Sequence, residues 1–273
     1  MHPGAGDDRI LPLTRLVAVV VTPILLVAFA ILYVRNDLAE AVFAWSIKPR
    51  LGAMLLGSAY AGGVVYFASL LAARQWHRVA LGIPAVATFA GLLLVTTLLH
   101  LDLFRFDRVT GWVWTIVYVV APPLVLLAWW RNRATDPGPQ LGDARVDPRL
   151  VRVLLVAGIG AICLAAILYT APELVAGSWP WHLTPLAARV LAPMLCLPGI
   201  IAIRIARDGR RSSLAQPLTA QAASIVLMLG ALVARSTDLT GPPAAVIAAW
   251  LVLGGSLAGT VAILVWARRA AKA

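Results

Sequence analysis

The chain has 273 residues, of which 61% are hydrophobic and only 13% are charged, and its mean hydropathy is +0.87. Ordinary soluble domains carry roughly 25% charged residues, so this composition excludes a soluble globular protein. The net charge of +11 does not require a nucleic-acid partner, because basic residues also accumulate in the cytoplasmic loops of membrane proteins.

Eight apolar runs are long enough to cross about 30 Å of hydrocarbon, which takes roughly 20 helical residues. They lie at residues 16–34, 51–73, 79–99, 112–130, 151–169, 186–205, 218–233 and 244–266. The predicted fold class is therefore all-α, a polytopic membrane protein of about eight transmembrane helices. The seventh run is the shortest, which leaves open whether it spans fully.

The second half of the chain repeats the first at an offset of 136 residues. AILY at 30–33 recurs at 166–169, and the same offset pairs three tryptophans of the first half with three of the second. We expect two tandem four-helix repeats, residues 1–136 and 137–273, within one membrane domain and joined by a linker at about 131–149. Each unit has an even number of spans, so the repeats are parallel.

The distribution of basic residues predicts the orientation. The two ends of the chain and the loops after the second, fourth and sixth apolar runs together hold 16 Lys and Arg against six acids. The loops after the first, third, fifth and seventh runs hold six basic and six acidic residues. Because Lys and Arg resist translocation, both the N-terminus and the C-terminus are predicted to be cytoplasmic. The basic face is also expected to attract anionic membrane lipid.

Two loop segments share one pattern, FAWSIKP at 43–49 and WPWHLTP at 179–185. Pro49 and Pro185 suit the start of a helix, where a fixed φ is favourable and the missing N–H has no partner to lose. Trp45 and Trp181 suit the aromatic belt at the outer membrane surface. The residues just ahead of each tryptophan predict a short helix in the outer interface.

Eight residues at the predicted outer ends of the helices form what we call the outer rim. They are Asp37, Trp45, His100, Asp102, Glu173, Trp181, His182 and Asp238. Asp102 and Asp238 are an acid pair that matches identically at the offset. Two interpretations stay open, namely anchors and loop caps, or a site for a cation or a lipid headgroup.

Catalytic and metal motifs are not recognisable in the sequence, so no catalytic residue, metal site or cofactor is assigned. Haem remains an open alternative as a cofactor. Four-plus-four helix proteins that bind haem exist, and this architecture loosely resembles haem A synthases. In that family the ligand histidines lie within helices of both halves. Here His100 and His182 are the same-side candidates, and neither has a histidine at the matching position of the other half.

Small residues recur at helical spacing on two spans and predict close packing. Gly57 belongs to such a series on the second helix, and Gly255 and Gly259 belong to one on the eighth. Such stripes mark contacts either within the chain or between copies in a homo-oligomer or a larger membrane complex.

Three segments resemble an uncharacterised family of multi-pass membrane proteins from high-GC bacteria. They are FAWSIKPRLGAMLLGSAYAGG at 43–63, TLLHLD at 97–102 and WWRNR at 129–133. The resemblance implies location in the bacterial inner membrane and brings no activity with it.

Two classes of function follow. The first is a non-enzymatic membrane protein for transport, lipid handling or complex assembly, with its functional residues on the outer rim. The alternative is a membrane redox or lipid-modifying enzyme with haem or another cofactor near His100 and His182. Nucleic acid is not an expected partner.

Overall fold

The computed structural model describes residues 6–139 and 143–269, and within these ranges the regular structure is helical. The α-helices are α1 (Pro12–Phe29), α2 (Asn36–Val42), α3 (Arg50–Ala72), α4 (Gly82–Leu99), α5 (Val109–Asn132), α6 (Pro148–Thr170), α7 (Glu173–Ala176), α8 (Pro185–Asp208), α9 (Ala215–Ala234) and α10 (Pro243–Arg269). A π-helical turn, Ala30–Val34, extends α1.

Eight of these helices are long and apolar enough to cross a membrane, and α2 and α7 are short connecting helices. The seventh predicted run forms α9, which spans by the same length and composition criteria as the others. With an even number of spans, both ends of the described chain lie on one side. We call that side the termini face and the side that carries α2 and α7 the opposite face.

Proline sets several helix starts. Pro12, Pro148, Pro185 and Pro243 are the first residues of α1, α6, α8 and α10, where a proline has no helical hydrogen bond to lose. Pro49 instead occupies the N-cap position of α3, one residue outside the helix. Both loop prolines therefore mark helix starts, as the sequence predicts.

The spans pack in pairs, and each pair has a counterpart in the other half. Within the halves, α1 packs on α3 as α6 packs on α8, and α4 packs on α5 as α9 packs on α10. Between the halves, α3 packs on α9 and α4 packs on α8. A tandem duplication predicts this pairing, because α3 and α8 are second helices of their units while α4 and α9 are third helices.

Glycines allow the helices to approach at matched positions. A Cβ built on Gly63 would lie 2.8 Å from Leu25 of α1, and one on Gly199 would lie 2.8 Å from the carbonyl oxygen of Gly158 on α6. Gly63 and Gly199 are 136 residues apart, so the same residue permits the contact between the first and second helix of each half.

The other predicted packing glycines have contrasting surroundings. A Cβ on Gly57 would lie 3.0 Å from Tyr33, so this glycine serves an intramolecular contact between α3 and the π-helical turn. A Cβ on Gly255 or Gly259 would meet no atom within 4 Å. Among the described residues these two glycines pack against no neighbouring helix, and their contact with a second copy stays a prediction.

Two tyrosines connect the halves through the middle of the protein. The Tyr33 hydroxyl donates to the carbonyl oxygen of Leu227 on α9 at 3.0 Å, and the Tyr169 hydroxyl donates to that of Leu92 on α4 at 2.8 Å. These are the tyrosines of the repeated AILY. In each half the first helix therefore binds the third helix of the other half.

Candidate functional site

The two loops on the opposite face have the same local architecture. Phe43 and Trp45 meet edge to face with ring centroids 4.8 Å apart, and Trp179 and Trp181 do so at 5.6 Å. The carbonyl between each aromatic pair accepts a hydrogen bond from the loop after the third helix. Arg105 N–H donates to Ala44 at 2.8 Å, and the N–H of Gly241 donates to Pro180 at 2.9 Å. The repeated tryptophan pattern thus builds two equivalent loop junctions.

Trp45 lies inside the protein rather than at a lipid-facing belt. Its side chain is 3% exposed, and Trp181 is 7% exposed. Trp45 contacts Phe43, Trp114 and Phe104, with ring centroids 4.7–5.1 Å apart. Both tryptophans belong to the main hydrophobic cluster, so they are core residues and not interfacial anchors.

The aromatic cluster continues inward along α5, which the sequence analysis missed. The Trp114 indole N–H donates to the Thr97 hydroxyl at 2.9 Å, and the centroids of the Trp114 and Tyr118 rings lie 4.3 Å apart with the rings tilted by 41°. The Tyr118 and Tyr60 hydroxyls lie 2.8 Å apart and share a buried hydrogen bond. Trp114 matches Trp250 at the offset, and that match was the available signal.

The first turns of α3 and α8 are capped by different residues. Thr184 is the N-cap of α8, and its hydroxyl accepts a hydrogen bond from the Ala187 N–H at 3.2 Å. At the matching place in α3, the Leu51 N–H donates to the carboxylate of Asp238 at 2.9 Å. Asp238 therefore caps a helix of the other half.

The remaining acidic and imidazole groups of the outer rim are exposed, apart from His100. Asp37 is exposed and pairs with Arg35 at 3.3 Å. Glu173 is in the first turn of α7 and His182 is in the loop before α8, and both are exposed. Asp102 is also exposed, and within the described residues it makes no ion pair. The matched acids Asp102 and Asp238 thus have different surroundings.

His100 binds an arginine that the outer-rim prediction did not include. Arg189, in the second turn of α8, is half-buried and donates from Nη1 to His100 Nε2 at 2.9 Å. It also donates from Nε to the carbonyl oxygen of Tyr169, at the end of α6, at 3.1 Å. Three spans, α4, α6 and α8, therefore meet at this guanidinium group.

The charge state of this pair follows from the chemistry of its donors. A guanidinium group has no acceptor, so His100 Nε2 accepts and carries no proton. Burial lowers the pKa of His100, and the Arg189 charge lowers it further, while Asp102 acts in the other direction. Among the described residues, no carboxylate oxygen lies within 4.0 Å of Arg189. Arg189 is thus a half-buried cation without a direct counter-ion.

A second polar cluster, on the termini face, joins the linker to the end of α8. Arg210 is 6% exposed and binds both oxygens of Asp136, from Nη1 at 2.8 Å and from Nη2 at 2.9 Å. Its Nε donates to Asp208 at 2.9 Å. Burial raises the pKa of Asp136, but hydrogen bonds from Arg210 and from the N–H of Gly138 outweigh it, and the net pKa is below the ordinary value. This cluster is a buried, satisfied ion-pair network.

The segment before α1 is tied down on the same face. The buried Asn132 side chain accepts from the Leu11 N–H at 2.9 Å and donates to the Arg9 carbonyl at 2.9 Å. Asp8 Oδ2 lies 2.6 Å from His77 Nδ1, and Asp8 Oδ1 accepts from the His77 N–H at 2.9 Å. These hydrogen bonds hold the segment before α1 against Asn132 at the end of α5 and against His77.

The structure does not bring metal-ligating side chains together in the part of the chain that it describes. No group of three or more His, Cys, Asp or Glu residues there is arranged to hold a metal ion. For haem, the His100 nitrogen that would ligate iron is occupied by Arg189, and His182 is an exposed loop residue. The residues present do not fit a bis-histidine haem site.

The eight apolar helices and the helix-end polar clusters define the class of this protein, a multi-pass integral membrane protein. Comparisons with family models, curated proteins and solved structures found no match to the chain.

Proposed function

We propose that this chain is a non-enzymatic, lipid-handling membrane protein that binds the phosphate of a phospholipid headgroup with Arg189 on the opposite face. The observation that carries the proposal is the half-buried Arg189 guanidinium, which the Tyr169 carbonyl and His100 hold in place and no carboxylate neutralises. A cation at the end of a span needs an anionic partner or water, and the lipid phosphate lies at that depth.

The remaining donor supports this assignment. Arg189 Nη2 makes no hydrogen bond to a described residue, whereas Nε and Nη1 are both used. Guanidinium N–H groups match phosphate oxygens well in geometry and charge. Asp102 follows His100 by two residues and is exposed, so its carboxylate is available to the ammonium group of a zwitterionic headgroup in this proposal.

Native mass spectrometry of the protein released from nanodiscs of phosphatidylethanolamine tests the proposal. We expect wild type to retain this lipid and Arg189→Gln to retain it about tenfold less, which corresponds to one charge-assisted hydrogen bond. Arg189→Lys keeps the charge and should retain more lipid than Arg189→Gln. Arg108→Gln is the matched control, because Arg108 on the same face also donates to a backbone carbonyl, that of Ala41.

Equal retention by wild type and Arg189→Gln, with both proteins folded, would overturn the proposal. Transport or complex assembly would then be the remaining members of the non-enzymatic class.

The haem-dependent enzyme is less well supported, since His100 would have to release Arg189 before it could ligate iron. A visible absorption spectrum of the purified protein separates the two classes, and we expect no haem band.

Location in the bacterial inner membrane with the termini face in the cytoplasm is part of the proposal. The cytoplasmic location of the termini face is supported by the excess of basic residues on that face. The opposite face would then contact the outer leaflet.

A further inference from the structure

We propose that the termini face contains a separate phosphate-binding site, formed by Arg204 of α8 and Arg133 at the end of α5 beside Trp129. The site is built from residues other than Arg189 and does not depend on the proposed function.

The first observation is an unsatisfied donor on Arg204. Its Nε is buried and has no hydrogen-bond partner among the described residues. A buried N–H without an acceptor is costly, and more so when it is charged. An acceptor that is bound in the working protein would remove this cost.

The second observation is that a further guanidinium group lies at the same indole ring. The guanidinium carbons of Arg204 and Arg133 are each 5.6 Å from the centre of the Trp129 ring. Arg133 is also 5.6 Å from the centre of the Trp130 ring. Cation–π contacts stabilise each arginine, but two cations beside one ring also repel each other. An anion that both can reach relieves the repulsion.

The nearby carboxylates do not fill this role. Asp136 and Asp208, which follow Arg133 and Arg204 by three and four residues, are both bound by Arg210. In the described ranges, no carboxylate oxygen lies within 4.0 Å of Arg133 or Arg204. The charges of Asp136 and Asp208 therefore act on Arg204 only from a longer distance.

The chemistry of the donors indicates a phosphate group. Two planar guanidinium groups can each present paired N–H donors to phosphate oxygens. Trp129 and Trp130 are tryptophans at the end of a span, where indole rings sit at headgroup level. The source is either the headgroup of an anionic lipid or a free phosphate, and the experiment distinguishes the two.

The test uses the full-length protein and the midpoint temperature of its unfolding. One arm places it in nanodiscs of phosphatidylcholine with or without phosphatidylglycerol, and the other adds inorganic phosphate to the protein in detergent. In a third measurement, native mass spectrometry counts retained phosphatidylglycerol. We expect Arg204→Gln and Arg133→Gln each to retain about tenfold less of this lipid than wild type.

Arg152→Gln is the matched control, because Arg152 is an exposed arginine on the same face and should leave retention unchanged. Arg133 is exposed, so its variant remains informative even if Arg204→Gln does not fold. Stabilisation of wild type by phosphatidylglycerol alone assigns the site to lipid, and stabilisation by inorganic phosphate assigns it to a soluble ligand. Stabilisation by either ligand supports the proposal if Arg204→Gln and Arg133→Gln both abolish that stabilisation. If Arg133→Gln retains as much phosphatidylglycerol as wild type and is stabilised as much by the ligand, the proposal of this second site is overturned. This holds whatever the lipid-retention experiment on Arg189 shows.

Discussion

The carboxylate of Asp238 accepts a hydrogen bond from the backbone N–H of Leu51 at 2.9 Å, which joins the turn after the third span of one half to the second span of the other. At the matching position of the second half, Ala187 donates instead to the local N-cap Thr184. The equivalent of Thr184 in the first half is Lys48, which has no side-chain acceptor. Asp238 therefore replaces a missing cap, and Asp102 has no corresponding role.

This asymmetry predicts unequal effects of two matched substitutions. Asp238→Ala should lower the free energy of unfolding by about 1 kcal/mol, the usual loss for a helix cap. Asp102→Ala should change the free energy of unfolding by about 0.5 kcal/mol or less, because Asp102 is exposed. Unfolding in detergent by SDS titration measures both, and equal losses would contradict the capping role.

The burial of Trp45 predicts a large loss of stability on truncation. Trp45→Ala should lower the free energy of unfolding by about 3–5 kcal/mol, because removing the side chain of a residue that is 3% exposed leaves a cavity among three aromatic neighbours. Trp112→Ala is the control on the same face, since Trp112 is 54% exposed, and it should lose about 1 kcal/mol or less. If the two variants unfold alike, Trp45 is not a core residue in the membrane.

The tyrosine hydroxyls between the halves predict two small, independent contributions. Tyr33→Phe and Tyr169→Phe should each lower the free energy of unfolding by about 0.5–1 kcal/mol, the range for hydrogen bonds between membrane helices. The bonds reach different helices, α9 and α4, so the double variant should show the sum. A double variant as stable as either single one would mean that the two bonds do not form together.

The contact between His100 and Arg189 predicts a dependence of stability on pH. The folded state lowers the pKa of His100 through burial and the Arg189 charge, so the unfolded chain takes up the proton more readily. The contribution is fully present above about pH 6.5, the ordinary value for histidine, and is lost as the pH falls through the lower folded value. His100→Gln can still accept from Arg189 but does not titrate.

The measurement is the midpoint temperature of wild type and His100→Gln at pH 7.5 and pH 5. Wild type should lose more stability on acidification than the variant does. The other histidines and the carboxylates are common to both proteins, so the difference isolates His100. An identical loss in both would show that folding does not lower the pKa of His100.

The orientation of the chain is tested by labelling single cysteines on the two faces. Ser178→Cys lies on the opposite face and Ala134→Cys on the termini face, and both positions are exposed. In a background without Cys163 and Cys196, a membrane-impermeant maleimide added to intact bacterial cells with a permeabilised outer membrane should label residue 178 only. Labelling of residue 134 instead would reverse the predicted topology.

The spans were predictable because apolar length alone decides them, and α3 and α9 begin and end within a few residues of the runs at 51–73 and 218–233. The burial of Trp45 was not predictable, because an indole near a helix end suits both a lipid-facing belt and a core. Sequence pattern does not distinguish these environments. The role of Arg189 was not predictable either, because its partners come from α4 and α6, 89 and 20 residues away.

The crossing of helix pairs between the halves has a consequence for synthesis in the cell. Tyr33 and its acceptor Leu227 are separated by 194 residues, and α3 also receives its neighbour α9 only after the first half is complete. At about 5–20 residues per second, the first span would wait roughly 10–40 s for its partner. During that interval the α3 surface that later meets α9 is exposed to lipid or to the insertion machinery. A newly made first half is thus an incomplete structure, and the membrane or a chaperone must shelter it until the chain is finished.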